Sequence, residues 1–148
     1  AVRYPRGREK EFPAGLHGNE QYQMSGNGKI LLVSYGRLSA NCCSAAALLR
    51  QKGIEVSVIK LTQLLPFPQD LMNRFLQADA VFFAEEVVAQ GSIGRMVADQ
   101  LLQNNFGGKF RTRTVPDRFL AHASVDEIFD DLGLTGEKLA EWIGEELR

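Results

Sequence analysis

Residues 29–61, KILLVSYGRLSANCCSAAALLRQKGIEVSVIKL, decide the fold. KILLVSYG is a short, nearly continuous apolar run with β-branched content, as expected of a strand covered on both faces. Ser39 is placed to cap a helix running to about Lys52, and Gly53 stands where a left-handed C-terminal residue belongs. IEVSVIKL then reads as a second strand. Strand, helix and strand over this length predict a parallel βαβ unit.

The alternation continues downstream. Pro66 and Pro68 break the chain, and QDLMNRFLQ predicts a short helix with Leu71, Phe75 and Leu76 inward. AVFFAEE, residues 80–86, is a third strand. Gly91 and Ser92 open a helix whose Ile93, Val97 and Leu101 share one face, and Asn104, Asn105, Gly107 and Gly108 end it. KFRTRTV, residues 109–115, is polar enough to lie toward a sheet edge. Ser124 and Glu127 form an S-x-x-E capping box ahead of Ile128, Phe129 and Leu132, and Thr135 starts a last helix burying Leu139, Trp142, Ile143 and Leu147. The expected class is therefore α/β: a three-layer, open, mostly parallel sheet flanked by helices, over residues 29–148. Residues 1–28 carry Gly7, Gly15, Gly18, Gly26, Gly28, Pro5 and Pro13 with little apolar periodicity. They read as a strand end of a preceding domain (Ala1–Tyr4) followed by a surface linker. The lack of an initiating Met suggests a fragment of a longer chain.

Bulk chemistry removes several function classes. A net charge of −1 over 148 residues gives no global attraction to nucleic acid or anionic membrane. No apolar run approaches the roughly 20 residues of a membrane helix, and AVRYPRGREKEF lacks the apolar stretch of a signal peptide. Cys42 and Cys43 are neighbours in a predicted helix, poorly placed to bridge each other. They read as small apolar side chains in a reducing cytosol, not as a disulfide or a thiolate metal site.

In an open sheet of this kind, ligands gather at the carboxyl ends of the strands near a topological switch point. Those ends carry Ser34-Tyr35-Gly36-Arg37, Thr62-Gln63, Glu85-Glu86 and Pro116-Asp117-Arg118. Neither Y-G-R-L nor G-S-I-G spells a dinucleotide or phosphate-loop motif. Glu85 and Glu86 have the chemistry of a general acid or base, but successive strand residues face opposite sides and do not form a coupled dyad. A structural or interface role, against a helix N-terminus or an arginine, is the favoured expectation for them. His122 is the better catalytic candidate by residue type, yet no nucleophile or metal-ligand pattern accompanies it, so a structural or interface contact is favoured again. His17 sits in the glycine-rich stretch and reads as solvated. Arg3 and Arg6 lie in R-Y-P-R-G, where Pro5 fixes the backbone and Gly7 permits a turn. They are either part of a solvated charge run or a rigidly presented fork for phosphate.

Several of these segments are recognisable together. AVRYPRG resembles the end of the pyrimidine-binding domain in 1-deoxy-D-xylulose-5-phosphate synthases, and ILLVSYG…AAALLRQKGIEVSVI resembles the first βαβ unit of the transketolase C-terminal domain. AVFFAEEVVAQGSIG is similar to a family strand with paired glutamates leading into a glycine-rich helix start, with G-S-I-G where G-G-x-G is usual. VPDRFLAHASVDEIFDDLGLTGEKLAEWI resembles the synthases' terminal P-D-x-F-x-x-H-G-S…E-L-G-L pattern, with Ala123 for the usual glycine, and LLPFPQDLM departs from a K-P-L-D segment.

The resemblance implies a parent transferase that uses thiamine diphosphate and magnesium to join pyruvate, after decarboxylation, to glyceraldehyde 3-phosphate. The products would be 1-deoxyxylulose 5-phosphate and CO2, in isoprenoid precursor synthesis. It implies that residues 1–28 close the pyrimidine-binding domain and that the cofactor is held by other domains, none being expected on this fragment. It further implies a cytoplasmic homodimer in which this domain supports packing and is inactive alone, with partners limited to the remaining domains and neither nucleic acid nor membrane. Carried over position by position, Arg3 would help hold the aldehyde's phosphate, with Arg6 as fallback, while Glu85, Glu86 and His122 would line an active-site wall or an interface. No catalytic or metal residue is implied here. The alternatives are the same domain of a transketolase or of a 2-oxoacid dehydrogenase β-subunit, or a non-catalytic assembly module.

Overall fold

The computed structural model describes residues 20–120 and 122–148. Five strands, β1 (Tyr22–Ser25), β2 (Ile30–Tyr35), β3 (Val56–Leu61), β4 (Ala80–Val88) and β5 (Lys109–Val115), form one sheet in the order β1-β3-β2-β4-β5. The last four run parallel, and β1 is antiparallel to β3. The helices are α1 (Leu38–Gln51), α2 (Gln69–Leu76), α3 (Ile93–Gln103), α4 (Val125–Asp131) and α5 (Gly136–Glu146).

Side-chain alternation along the strands divides the interior into two cores. Leu32, Val56, Val58, Phe82 and Ala84 pack with α1, α4 and α5; Leu31, Val33, Ile59, Val81 and Phe83 pack with α2 and α3. Strands covered on both faces need to be apolar at every position, which is why β2 and the first half of β4 read as unbroken hydrophobic runs. On the first face Phe82 meets Trp142 edge-on, with ring centroids 5.2 Å apart, and Arg113 lies 4.7 Å over the same indole. Arg113 also donates to the Gly133 carbonyl at 3.2 Å, tying β5 to the α4–α5 turn.

The three-layer, mostly parallel sheet expected from the sequence is present, with β5 at an edge as its polarity predicted. Two local readings are corrected. Tyr22–Ser25, taken as linker because of the surrounding glycines, is the opposite edge strand, with Tyr22 and Met24 packed on the second core. Ser39 does not cap α1. The helix begins at Leu38 behind Arg37 with no side-chain cap, and Ser39 is buried, accepting the Ser34 hydroxyl at 3.0 Å. Gly53 does close α1 with φ +78°, and the Ile54 N–H reaches back to the Leu49 carbonyl at 3.0 Å. The Ser124–Glu127 capping box forms in full at the start of α4, and Thr135 caps α5. No described helix is long and apolar enough to cross a membrane.

Candidate functional site: the switch point between β2 and β4

β2 lies at the centre of the winding, since the chain passes from it to β3 on one side and later to β4 on the other. Pairing between β2 and β4 stops at Val33–Phe83, although both strands continue. Beyond that point they diverge, opening the crevice where α/β sheets usually bind ligands. On its far side β4 carries an irregularity against β5 between Ala84 and Val88, so the two glutamates sit in a stretch released from regular pairing.

The crevice is filled by the protein's own side chains. Glu85 follows Val81 and Phe83 onto the α3 side of the sheet and is 1% exposed. Its carboxylate accepts the N–H of Ile93 at 2.9 Å, the N–H of Gly94 at 2.8 Å and the hydroxyl of Tyr35 at 3.2 Å. A helix N-terminus with free N–H groups is an anion site, and here the anion is intramolecular. Burial, then the neighbouring Glu85 carboxylate, raises the Tyr35 hydroxyl above its ordinary range, so it stays a donor.

The G-S-I-G segment is shaped for this contact. Gly91 has φ +82°, Ser92 caps α3 by accepting the Arg95 N–H at 3.1 Å, and Gly94 allows the carboxylate to approach. A Cβ on Gly94 would lie 2.6 Å from Glu85 Oε2.

Glu86 points the other way. Arg37, at the end of β2, donates to it through Nε at 2.9 Å and through a second guanidinium nitrogen, a fork-to-fork ion pair. Hydrogen bonding to Glu86 raises the Arg37 pKa, and the same guanidinium lies 5.2 Å over the Phe129 ring of α4. The two glutamates thus sit on opposite faces with separate partners, as strand alternation predicted. A helix N-terminus holds one and an arginine the other.

His122 is exposed on the loop after β5, at the same end of the sheet but in neither of these contacts. Arg3, Arg6 and His17 lie outside the described residues. Sequence reasoning did not single out Tyr35 and Gly94. The signal available was a tyrosine at a strand end opposite an acidic strand end, and a glycine two residues past a helix cap.

The larger open clefts among the described residues lie at the amino end of the sheet. One of about 480 Å³ is lined by Lys29, Arg74, Met24 and Gln77, and another of about 590 Å³ by Ile30, Ile54, Glu55 and Leu147. The described residues do not fit a diphosphate–magnesium site. They hold no cluster of three His, Cys, Asp or Glu side chains, and the α3 N-terminus is already saturated by Glu85.

Comparison with known proteins completes the description. Residues 21–139 match the family described as "Transketolase, C-terminal domain". The chain is 34% identical over 149 residues to a 1-deoxy-D-xylulose-5-phosphate synthase of Gloeothece citriformis, covering 95% of this chain and 23% of that protein. It is 30% identical over 147 residues to the synthase of Rhodobacter capsulatus, covering 94% of this chain and 23% of that one. The chain therefore spans about a quarter of the length of the curated relatives it matches. Among solved structures, a split-gene transketolase described as an inactive beta4 tetramer matches with a TM-score of 0.81 at 23% identity, covering 95% of this chain and 47% of that one. Transketolase from Campylobacter jejuni matches with a TM-score of 0.62 at 16% identity, over 90% of this chain and 20% of that one. These two likenesses carry the fold.

Proposed function

This chain belongs to the family of transketolase C-terminal domains, and on that premise we propose that it serves as the C-terminal domain of a thiamine-diphosphate-dependent synthase. The parent reaction is the joining of pyruvate, after decarboxylation, to glyceraldehyde 3-phosphate, giving 1-deoxyxylulose 5-phosphate and CO2 for isoprenoid precursor synthesis. Similarity to proteins named as 1-deoxy-D-xylulose-5-phosphate synthases along 94–97% of the chain supports that choice.

The observation that carries the division of labour is the filled switch point. The crevice where an α/β sheet would hold a ligand is occupied by two pairs, Tyr35–Glu85 and Arg37–Glu86, with Glu85 also bonded to the start of α3. A domain built this way supports an active site made elsewhere. Thiamine diphosphate and magnesium belong to the other domains, which are this domain's partners in a cytoplasmic homodimer contacting neither nucleic acid nor membrane. The residues ahead of β1 close the preceding pyrimidine-binding domain and lead into this one, whose own sheet begins at Tyr22. Arg3, with Arg6 beside it, holds the aldehyde's phosphate, whereas Glu85 and Glu86 brace the wall behind the site and His122 stands at its margin or an interface.

The test is an assay of the full-length protein with pyruvate and glyceraldehyde 3-phosphate, alongside ketose phosphates and the isolated 148-residue chain. The expected result is synthase turnover by the full-length protein only. Turnover by the isolated chain would end the supporting-domain reading, and activity confined to ketose phosphates would assign the parent to transketolases.

A further inference from the structure

We propose that Asn27–Gly28 is a site of self-modification, where the asparagine cyclises onto the next peptide nitrogen and opens to aspartate and isoaspartate, loosening the edge strand β1. The chemistry is the same whichever reaction the parent enzyme performs. A side chain on the residue after an asparagine crowds the attacking nitrogen, so attack is easiest where glycine follows. Of the six asparagines in the chain, only Asn27 is followed by glycine.

The dipeptide lies in the loop that carries the chain from β1, across the start of β3, to β2. Asn27 is exposed, and among the described residues neither its side-chain amide nor the Gly28 N–H is hydrogen-bonded. At the other four described asparagines the following N–H is engaged. Cys42 and Arg74 lie inside helices, Asn105 donates to the Leu102 carbonyl at 3.1 Å, and Phe106 donates to the Leu101 carbonyl at 3.0 Å. Packing also requires the glycine. A Cβ on Gly28 would lie 2.5 Å from the Glu55 carbonyl oxygen and 2.9 Å from its carbon, both backbone atoms. The Ser57 hydroxyl fixes this close crossing by donating to the Gly28 carbonyl at 2.9 Å.

The Gly28 nitrogen bonds to Asn27 Cγ as its proton leaves, the bond from Cγ to the side-chain nitrogen breaks, and that nitrogen departs as ammonia. Water then adds to one of the two carbonyl carbons of the five-membered ring. Attack at Cγ restores the normal main chain with aspartate at position 27. Attack at the main-chain carbonyl carbon leaves the chain routed through Cβ and Cγ as isoaspartate, one carbon longer. Either product adds a carboxylate to the cleft of about 480 Å³ that Asn27 lines together with Lys29 and Arg74. The longer main chain no longer matches the tight crossing over β3. β1 has four residues and pairs with β3 alone, so it is the element of low local stability where the extra carbon is relieved.

The experiment ages the 148-residue chain in mildly alkaline buffer and follows it by peptide mass spectrometry, with an isoaspartate-specific carboxyl methyltransferase as the probe for the longer product. A gain of about 1 Da is expected at the peptide holding Asn27, at least about tenfold faster than at any other described asparagine, with methyl acceptance rising alongside. Asn27→Gln, whose cyclisation needs a larger ring, is expected to remove both signals. No gain at Asn27, or an earlier one at Asn104 or Asn105, would overturn the assignment. Amide exchange separates the modification from its effect. Tyr22–Ser25 should exchange at least about tenfold faster in aged wild type than in aged Asn27→Gln. Modification at Asn27 with unchanged exchange there would overturn the loosening of β1. Freshly prepared Asn27→Asp carries the charge without the extra carbon and is expected to exchange as slowly as unaged wild type. Fast exchange in that variant would assign the loosening to charge and overturn the role of the longer main chain.

Discussion

Glu85 Oε2 accepts the Gly94 N–H at 2.8 Å, and a methyl group on Gly94 would lie 2.6 Å from that same oxygen. The contact that closes the switch point therefore depends on the absence of one carbon atom. Thr112 Cγ2 at 3.1 Å and Phe83 Cγ at 3.3 Å hem in the same position, so the carboxylate would have to move.

Gly94→Ala should accordingly destabilise the chain, although alanine is the better helix former by about 1 kcal/mol. Overpacking of a well-filled interior costs about 1–3 kcal/mol, and displacing Glu85 weakens two bonds to a carboxylate as well. A net loss of about 1–2 kcal/mol is expected in urea unfolding followed through Trp142 fluorescence. A stabilised variant would show that the helix N-terminus is looser than the geometry implies.

Tyr35 and Glu85 should be coupled, and the coupling should carry a pH signature. Glu85→Gln is expected to cost about 2–3 kcal/mol, because an amide NH2 would oppose one of the two N–H groups that the buried carboxylate now satisfies. Tyr35→Phe should cost about 1 kcal/mol near neutral pH. The folded-state pKa of Tyr35 is raised, so its contribution is fully present below the ordinary tyrosine value of about 10 and is lost as pH rises beyond it. The stability gap between wild type and Tyr35→Phe should therefore shrink with alkalinity above pH 10. A gap that widens there would reverse the assigned sign.

Arg37 and Glu86 are about a quarter and a third exposed, so their fork-to-fork geometry is screened by solvent. A double-mutant cycle should return a coupling of about 0.5–1 kcal/mol that falls in high salt. Arg37→Ala should lose more than this, because the guanidinium also covers the Phe129 ring. Equal losses for Arg37→Ala and Glu86→Ala would argue against that second contact.

Periodicity made most of the fold legible, for a physical reason: a strand buried on both faces must be largely apolar, and β2, β3 and the first half of β4 are, apart from Ser34, Ser57 and Lys60. The same period-two rule places Glu85 and Glu86 on opposite faces. β1 escaped notice because it has four residues, one partner strand and glycines beyond its end, so it carries no unbroken apolar run. Ser39 was misread because a serine near a helix start has two uses, capping or burial beside another hydroxyl, and only the neighbouring strand decides between them. The filling of the switch point was also illegible. Tyr35 is 50 residues from Glu85, and the irregularity in β4 that frees the glutamates depends on its register with β5.

The two cysteines should differ sharply toward thiol reagents. Cys42 is fully buried, and desolvation pushes its thiol up to about 12, against a smaller opposing effect of the Ser34 hydrogen bond. At pH 8 its thiolate fraction in the folded chain is on the order of 10⁻⁴, and the reagent has no path to it. Cys43 is half-buried, its pKa raised by burial and partly offset by Lys60. Timed alkylation read by mass spectrometry should modify Cys43 slowly in the native chain and Cys42 only after unfolding. The delay for Cys42 should shorten in Gly94→Ala if labelling proceeds through global opening. Prompt labelling of native Cys42 would mean that α1 opens locally, without the rest of the sheet.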